Sequence, residues 1–140
     1  DGVRRIIVFN GMGSDRARAN EGERMMRAAF ADFDIYPLFA AGDIVGEADV
    51  FMGTSETVAL RVDEDARVGL HRRDRRDMTV SIVYDGPLSA PIEEGTQVGR
   101  LVVETGDTVA REYPLVAAES VDRKGMMGRA MDALVSLLRG

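Results

Sequence analysis

The stretch PLSAPIEEGTQVGRL, from Pro87 to Leu101, decides the architecture. It reads as strand, turn, strand. Pro87 and Pro91 fix their own φ and remove two backbone donors, which suits the edge of a sheet or the start of a strand. Gly95 and Gly99 mark places where φ turns positive or another backbone comes close. On residue types alone this is part of a β-rich domain.

The pattern holds on both sides of it. Pro37 marks a change of regime, and beyond it short strands recur roughly every ten residues with turn signals between them. They fall at Ile44 to Met52, Thr57 to Val62, Arg67 to His71, Met78 to Tyr84, Val98 to Glu104 and Thr108 to Val116. Alternation is clearest at Val58, Leu60 and Val62, and again at Met78, Val80, Ile82 and Tyr84. Asp85-Gly86-Pro87 and Thr105-Gly106-Asp107 read as turns. Short strands at this spacing predict a sandwich or small barrel.

Before Pro37 the pattern differs. Ile6, Ile7 and Val8 form a continuous apolar run, which predicts a strand over Arg4 to Phe9. After a loop from Asn10 to Ala19, Asn20 and Glu23 form a capping-box signature. Met26, Ala29, Phe30 and Phe33 then make one apolar stripe, and Glu23 can pair with Arg27. A helix over about residues 21–33 follows from this. From Gly125 the period is helical again. Met127, Ala130, Met131, Leu134, Val135 and Leu138 share one face, with Gly128, Arg129, Asp132, Ser136 and Arg139 opposite.

Composition narrows the function. The chain has 140 residues, enough for one ordinary domain or one small domain plus a piece of another. A net charge of -6 argues against a general nucleic-acid binder, which needs a basic face for phosphates. The absence of cysteine excludes disulfides and thiolate metal sites. No apolar run approaches the roughly 18–20 residues that span a bilayer. The N-terminus passes from charge straight into apolar sequence, without a signal-peptide pattern. That fits a chain beginning inside a longer precursor, and it fits a cytosolic protein equally well.

The order of Leu88, Ala90, Pro91, Ile92, Gly95, Val98 and Gly99 resembles the C-terminal β-domain of the low-molecular-mass penicillin-binding proteins, the D-alanyl-D-alanine carboxypeptidases of serine peptidase family S11. RARANEGERMM, Arg16 to Met26, looks like the loop and last helix of their catalytic domain, and the amphipathic end also matches. The resemblance implies three parts. Residues 1–33 are the last strand and helix of the α+β catalytic domain. Residues 34–119 are a small, mainly β, sandwich-like domain, and residues 120–140 are a membrane-associating helix. It implies a parent enzyme that removes the terminal D-alanine from peptidoglycan stem peptides through an acyl-serine. Its place would be periplasmic or extracytoplasmic, peripheral to the cytoplasmic membrane.

The acylation apparatus of that family is not in this chain. Serine β-lactam-binding enzymes need Ser-x-x-Lys, Ser-x-Asn and Lys-Thr-Gly. The one lysine, Lys124, has Val121 three residues before it and Gly125 directly after it. Asn10 and Asn20 follow Val8 and Arg18 at two residues' distance. The expected catalytic set is therefore none, and so are the expected cofactors and metals.

Other constellations have plain alternatives. GMGSDR, Gly11 to Arg16, begins like a dinucleotide fingerprint, but Arg16 stands where the third glycine belongs. His71, the one histidine, could serve a Ser-His-Asp arrangement; a lone histidine beside RRDRRD is more often a surface residue. Asp63-Glu64-Asp65 lacks the spacing of a calcium loop. In His71 to Asp77 the aspartates cancel much of the arginine field. The hairpin tip at Thr105-Gly106-Asp107 has no lysine to carry a lipoyl or biotinyl group.

The C-terminal stripe is the expected partner surface. Met126, Met127, Ala130, Met131, Leu134, Val135 and Leu138 would meet lipid, and Arg123, Lys124, Arg129 and Arg139 outnumber Asp122 and Asp132. The same stripe also fits a helix packed on the β-domain. The expected partners are a membrane surface, peptidoglycan through the missing catalytic domain, and a second copy through the orphaned strand over Arg4 to Phe9. A free-standing β-rich binding module with a docking helix is the competing reading.

Overall fold

Period-two burial is sharpest in two central segments, Thr57–Val62 and Ala66–His71, where every second side chain is buried. The computed structural model describes residues 4–125, and these two strands carry much of its core. In chain order the elements are α1 (Asp15–Ala31), β1 (Phe33–Phe39), β2 (Ile44–Phe51), β3 (Thr57–Val62) and β4 (Ala66–His71). A short 3-10 turn (Asp74–Asp77) follows, then β5 (Met78–Val83), β6 (Leu88–Ser89), β7 (Gln97–Thr105) and β8 (Thr108–Ala117).

The strands form two sheets. β1 and β4 make an antiparallel ribbon, and the other six run in the order β5-β7-β8-β3-β2-β6. Only the short β2–β6 contact in that sheet is parallel. The ribbon packs on the curled sheet through one shared core. Val58, Leu60 and Val62 of β3 meet Ala66, Val68 and Leu70 of β4, Leu101 and Val103 of β7, and Tyr113 and Leu115 of β8. Fully burying each large apolar side chain contributes about 1.5–3 kcal/mol. The mainly β fold and the helix before it agree with the reading from sequence.

A tyrosine links the two sheets. In the β1–β4 register Arg67 lies opposite Pro37, which has no N–H to offer. The Tyr113 hydroxyl donates to the Arg67 carbonyl in its place, and the same oxygen accepts from the Arg67 N–H at 2.8 Å. Tyr113 is 2% exposed, so one buried oxygen on β8 satisfies both backbone groups of a residue on β4.

The first thirty-odd residues depart from expectation. Among the described residues Arg4 to Phe9 pairs with no strand or bridge; Arg5 lies over Phe30 and Phe9 against Gly22 of α1. The helix starts six residues earlier than the capping-box pattern suggested. Ser14 is the N-cap, and its Oγ accepts from the Ala17 N–H at 3.2 Å. Asn20 therefore sits inside the helix. The expected Glu23–Arg27 pair is present at 2.6 Å. Phe33 leaves the helix and opens β1, because Pro37 forbids a helix through this run yet fits a ribbon position opposite Arg67. A register shift between Pro37 and Phe39 accommodates it.

Candidate functional site

The seven residues singled out between Leu88 and Gly99 form a seat for the outgoing chain. β6 brings Leu88 beside Val50 of β2, and the Ala90 N–H donates to the Phe51 carbonyl at 3.1 Å. Pro91 then turns Ile92 inward; Ala90 and Ile92 are 6% and 7% exposed. Both X-Pro bonds of the stretch, Gly86-Pro87 and Ala90-Pro91, are cis. Gly95 has φ +80°, a left-handed turn position that glycine fills without strain. Its N–H reaches the Ala117 carbonyl at 2.8 Å, at the end of β8. Gly99 is a close approach: a Cβ there would lie 2.9 Å from the Val83 carbonyl oxygen.

The segment after β8 lies across this seat. Ile92 and Val121 exchange both backbone hydrogen bonds at 2.9 Å, and Val121 is 2% exposed. The Ser120 Oγ accepts from the Glu94 N–H at 2.9 Å. The Ala118 N–H donates to Ala59 of β3, and the Asp122 carbonyl accepts from the Thr54 N–H at 2.7 Å. Finally the Lys124 N–H donates to the Met52 carbonyl at 2.9 Å. Residues 118–124 are thus tied to three places in the domain before the described chain ends at Gly125. Ser120, Val121 and Thr54 were not singled out from sequence. Their signal is mutual backbone pairing between distant segments, which no local pattern encodes.

The seat borders an open cleft of about 470 Å³ lined by Tyr84, Asp85, Leu88, Val98, Gly99 and Arg100 among others. Asp85 and Arg100 supply one carboxylate and one guanidinium there. The Tyr84 hydroxyl accepts from the Asp49 N–H at a long 3.4 Å across the gap between β5 and β2. These groups can hydrogen-bond, and the lining contains no serine, lysine or histidine.

The other candidates resolve into structural roles. His71 ends β4, its ring edge-on to Phe33 at 5.2 Å and its Nδ1 accepting from the Arg73 N–H at 3.1 Å. In the Asp63-Glu64-Asp65 turn, Asp63 pairs with Arg61 at 2.8 Å and Asp65 with Arg67 at 2.7 Å. The Ala41 N–H donates to Asp65 Oδ1 at 3.0 Å, and this, with the Arg67 charge, holds the Asp65 carboxyl below its ordinary value. Among the arginines after His71, Arg72 pairs loosely with Asp34 at 3.9 Å, and Arg75 lies 4.7 Å over the Tyr36 ring. GMGSDR is the loop that delivers Ser14 to the start of α1. The apolar set Met126, Met127, Ala130, Met131, Leu134, Val135 and Leu138 lies outside the described residues. Among the described residues no group of three or more His, Cys, Asp or Glu side chains is placed to hold a metal ion. No described helix is long and apolar enough to cross a membrane.

Known proteins are similar to this chain. The D-alanyl-D-alanine carboxypeptidase DacD of Salmonella typhimurium is 29% identical over 134 residues, which cover 94% of this chain and 34% of that protein. DacF of Bacillus subtilis, a D-alanyl-D-alanine carboxypeptidase by name, is 25% identical over 126 residues, 89% of this chain and 32% of its own length. Among solved structures, penicillin-binding protein 5 from Haemophilus influenzae superposes with a TM-score of 0.68 at 20% identity. That match covers 77% of this chain and 32% of the solved one, and it bears on the fold. The chain spans about a third of the length of the curated relatives it matches. The family profile described as "Penicillin-binding protein 5, C-terminal domain" matches residues 33–123, from the first residue of β1 into the tied segment, and the chain belongs to that family.

Proposed function

We propose that residues 34–119 are the pedestal of a D-alanyl-D-alanine carboxypeptidase that trims peptidoglycan stem peptides. In this reading residues 1–33 belong to the catalytic domain, and the helix resting on lipid, expected from residue 120, leaves out residues 120–125, which are bridged to the β-domain and not helical. The protein works outside the cytoplasm, on the face of the cytoplasmic membrane. The names of the relatives and the family match support the enzyme. The observation that carries the pedestal role is the fixing of residues 118–124 on the Leu88–Gly99 seat. A spacer that sets an active site at a fixed height above a surface needs a rigid exit for its foot, and this geometry provides one.

The foot can bind only modestly. Each large apolar side chain buried contributes roughly 1.5–3 kcal/mol, against about 1–2 kcal/mol per residue of backbone ordered. Peripheral, reversible attachment follows. Co-sedimentation of the 140-residue chain with anionic vesicles tests it. Binding should be present in the wild type and lost in the Leu134→Asp, Leu138→Asp double variant. Equal recovery of both proteins in the supernatant would overturn the lipid foot and favour a protein-docking helix.

A further inference from the structure

Strand register fixes the two ends of the curled sheet. Val83, the last residue of β5, lies opposite Arg100, and Gln97 at the start of β7 lies opposite Val116 near the end of β8. Ala117 in turn lies opposite Leu60, and Thr57 at the start of β3 lies opposite Asp49 near the end of β2. These positions mark one end, from which residues 118–124 leave the domain. At the other end Leu70, paired with Asp34 of β1, shares a hollow with Thr105 and Gly106 of the β7–β8 turn. Chain that precedes β1 joins there. The run of β7 from Gly99 to Thr105 separates the two ends by about 20 Å.

Phe51 closes β2 at the exit end. Ala48 and Val50 turn inward, Asp49 and Phe51 outward, and Phe51 is 56% exposed. Among the described residues after Phe33 it is the one exposed aromatic side chain. Met52, next in line, has φ +59°, a left-handed turn that a non-glycine residue rarely takes, and this turn leaves Phe51 at the rim. The Lys124 N–H donates to the Met52 carbonyl at 2.9 Å, and the Arg123 Nη2 donates to the Met52 Sδ at 3.8 Å. Phe51 therefore stands within about 15 Å of the start of residue 126. Residues 126–140 follow, with the apolar stripe read from sequence.

We propose that Phe51 is a second lipid contact, which meets the membrane interface beside the foot and fixes the tilt of the β-domain. This rests on the lipid-foot reading. A single attachment leaves the domain free to swing about residue 125, and a second point removes that freedom. An aromatic ring suits the level of the headgroups, where one side is apolar and the other wet. Arg123, held beside Met52, can pair with lipid phosphate. The neighbouring Asp49 and Asp122, both exposed, offset its charge, so apolar burial carries the contact.

The chain has no tryptophan, so Phe51→Trp installs a single reporter. The 140-residue variant is mixed with vesicles of equal parts phosphatidylglycerol and phosphatidylethanolamine, with and without brominated acyl chains. Its emission should move to shorter wavelength. Bromine should quench it at least about twofold more than it quenches Val109→Trp, whose site is 51% exposed at the other end of the sheet. Phe51→Ser should weaken vesicle binding about three- to tenfold with an unchanged urea midpoint, and Val109→Ser should leave binding within about twofold of wild type. Co-sedimentation of Phe51→Trp with unshifted, unquenched emission would overturn the second contact and leave the foot standing. Equal quenching at position 109 would overturn it too. Failure of the wild type itself to co-sediment would overturn the foot, and this contact with it.

Discussion

Changing Tyr113 to phenylalanine removes one oxygen and leaves the ring, so it opens no cavity. The lost hydroxyl serves both backbone groups of Arg67, and Pro37, opposite, has no N–H to give the Arg67 carbonyl in its place. Each hydrogen bond contributes about 0.5–1.5 kcal/mol net, and an enclosed group left unpaired costs about 1–3 kcal/mol. The Arg67 side chain is exposed, which lets water reach the vacated groups in part and favours the lower figures. Tyr113→Phe should therefore destabilise the domain by about 2–3 kcal/mol. With a urea m-value of about 1.5 kcal/mol/M for a domain of this size, the midpoint should fall by about 1.3–2 M. The matched control is Tyr84→Phe, whose hydroxyl makes a single 3.4 Å contact with the Asp49 N–H and should cost under about 0.5 kcal/mol. The Arg67 amide should also lose protection from exchange in Tyr113→Phe. Equal midpoints for the two variants would refute the idea that this oxygen joins the ribbon to the sheet.

Gly99→Ala places a Cβ 2.9 Å from the Val83 carbonyl oxygen and 3.1 Å from the Tyr84 Cβ, so β7 must shift. A loss of about 1–3 kcal/mol in denaturant unfolding is expected, and a neutral result would show that the approach is not tight. Ile92→Ala removes a side chain that is 7% exposed beneath the Val121 bridge. It should cost about 2–4 kcal/mol and make the Val121 amide exchange early, whereas an unaffected Val121 would disconnect the seat from the exit. Asp65 has a lowered pKa in the fold, caused first by the Ala41 N–H and then by Arg67. Its stabilising contribution is complete above the ordinary carboxylate range and fades as pH falls through the lowered value. Asp65→Asn should flatten the acid side of the melting-temperature profile, and a superimposable profile would exclude this carboxylate.

Strand positions in the β-domain were legible because alternation there is driven by burial. At Thr57 to Val62 the expected and observed limits coincide, β7 differs by a residue at each end, and β8 differs by one residue at its end only. β1 was hidden by Pro37, since a proline inside an apolar run argues against a strand unless its position needs no donor. The partner that removes the need, Tyr113, is far away in sequence. α1 was placed late because Asn20 and Glu23 satisfy a local capping rule that Ser14 satisfies first. Arg4 to Phe9 has strand composition, but a ladder requires a neighbour and the described residues supply α1 instead. The motif residues were visible as residue types. The segment they hold was not, because the Ile92–Val121 and Thr54–Asp122 bonds join stretches about thirty or more residues apart, which only tertiary geometry brings together.

The ties on residues 118–124 also determine how the domain would bear tension. A pull applied beyond Gly125 meets the Lys124–Met52 bond, then Asp122–Thr54, then the paired bonds of Val121 with Ile92. These anchors sit on the β2–β3 connection and the β6–β7 connection, so load is shared between them rather than carried by β8 alone. The first bond such a pull tests is the one at Met52, and the last of these ties, Val121 with Ile92, lies in the hydrophobic core.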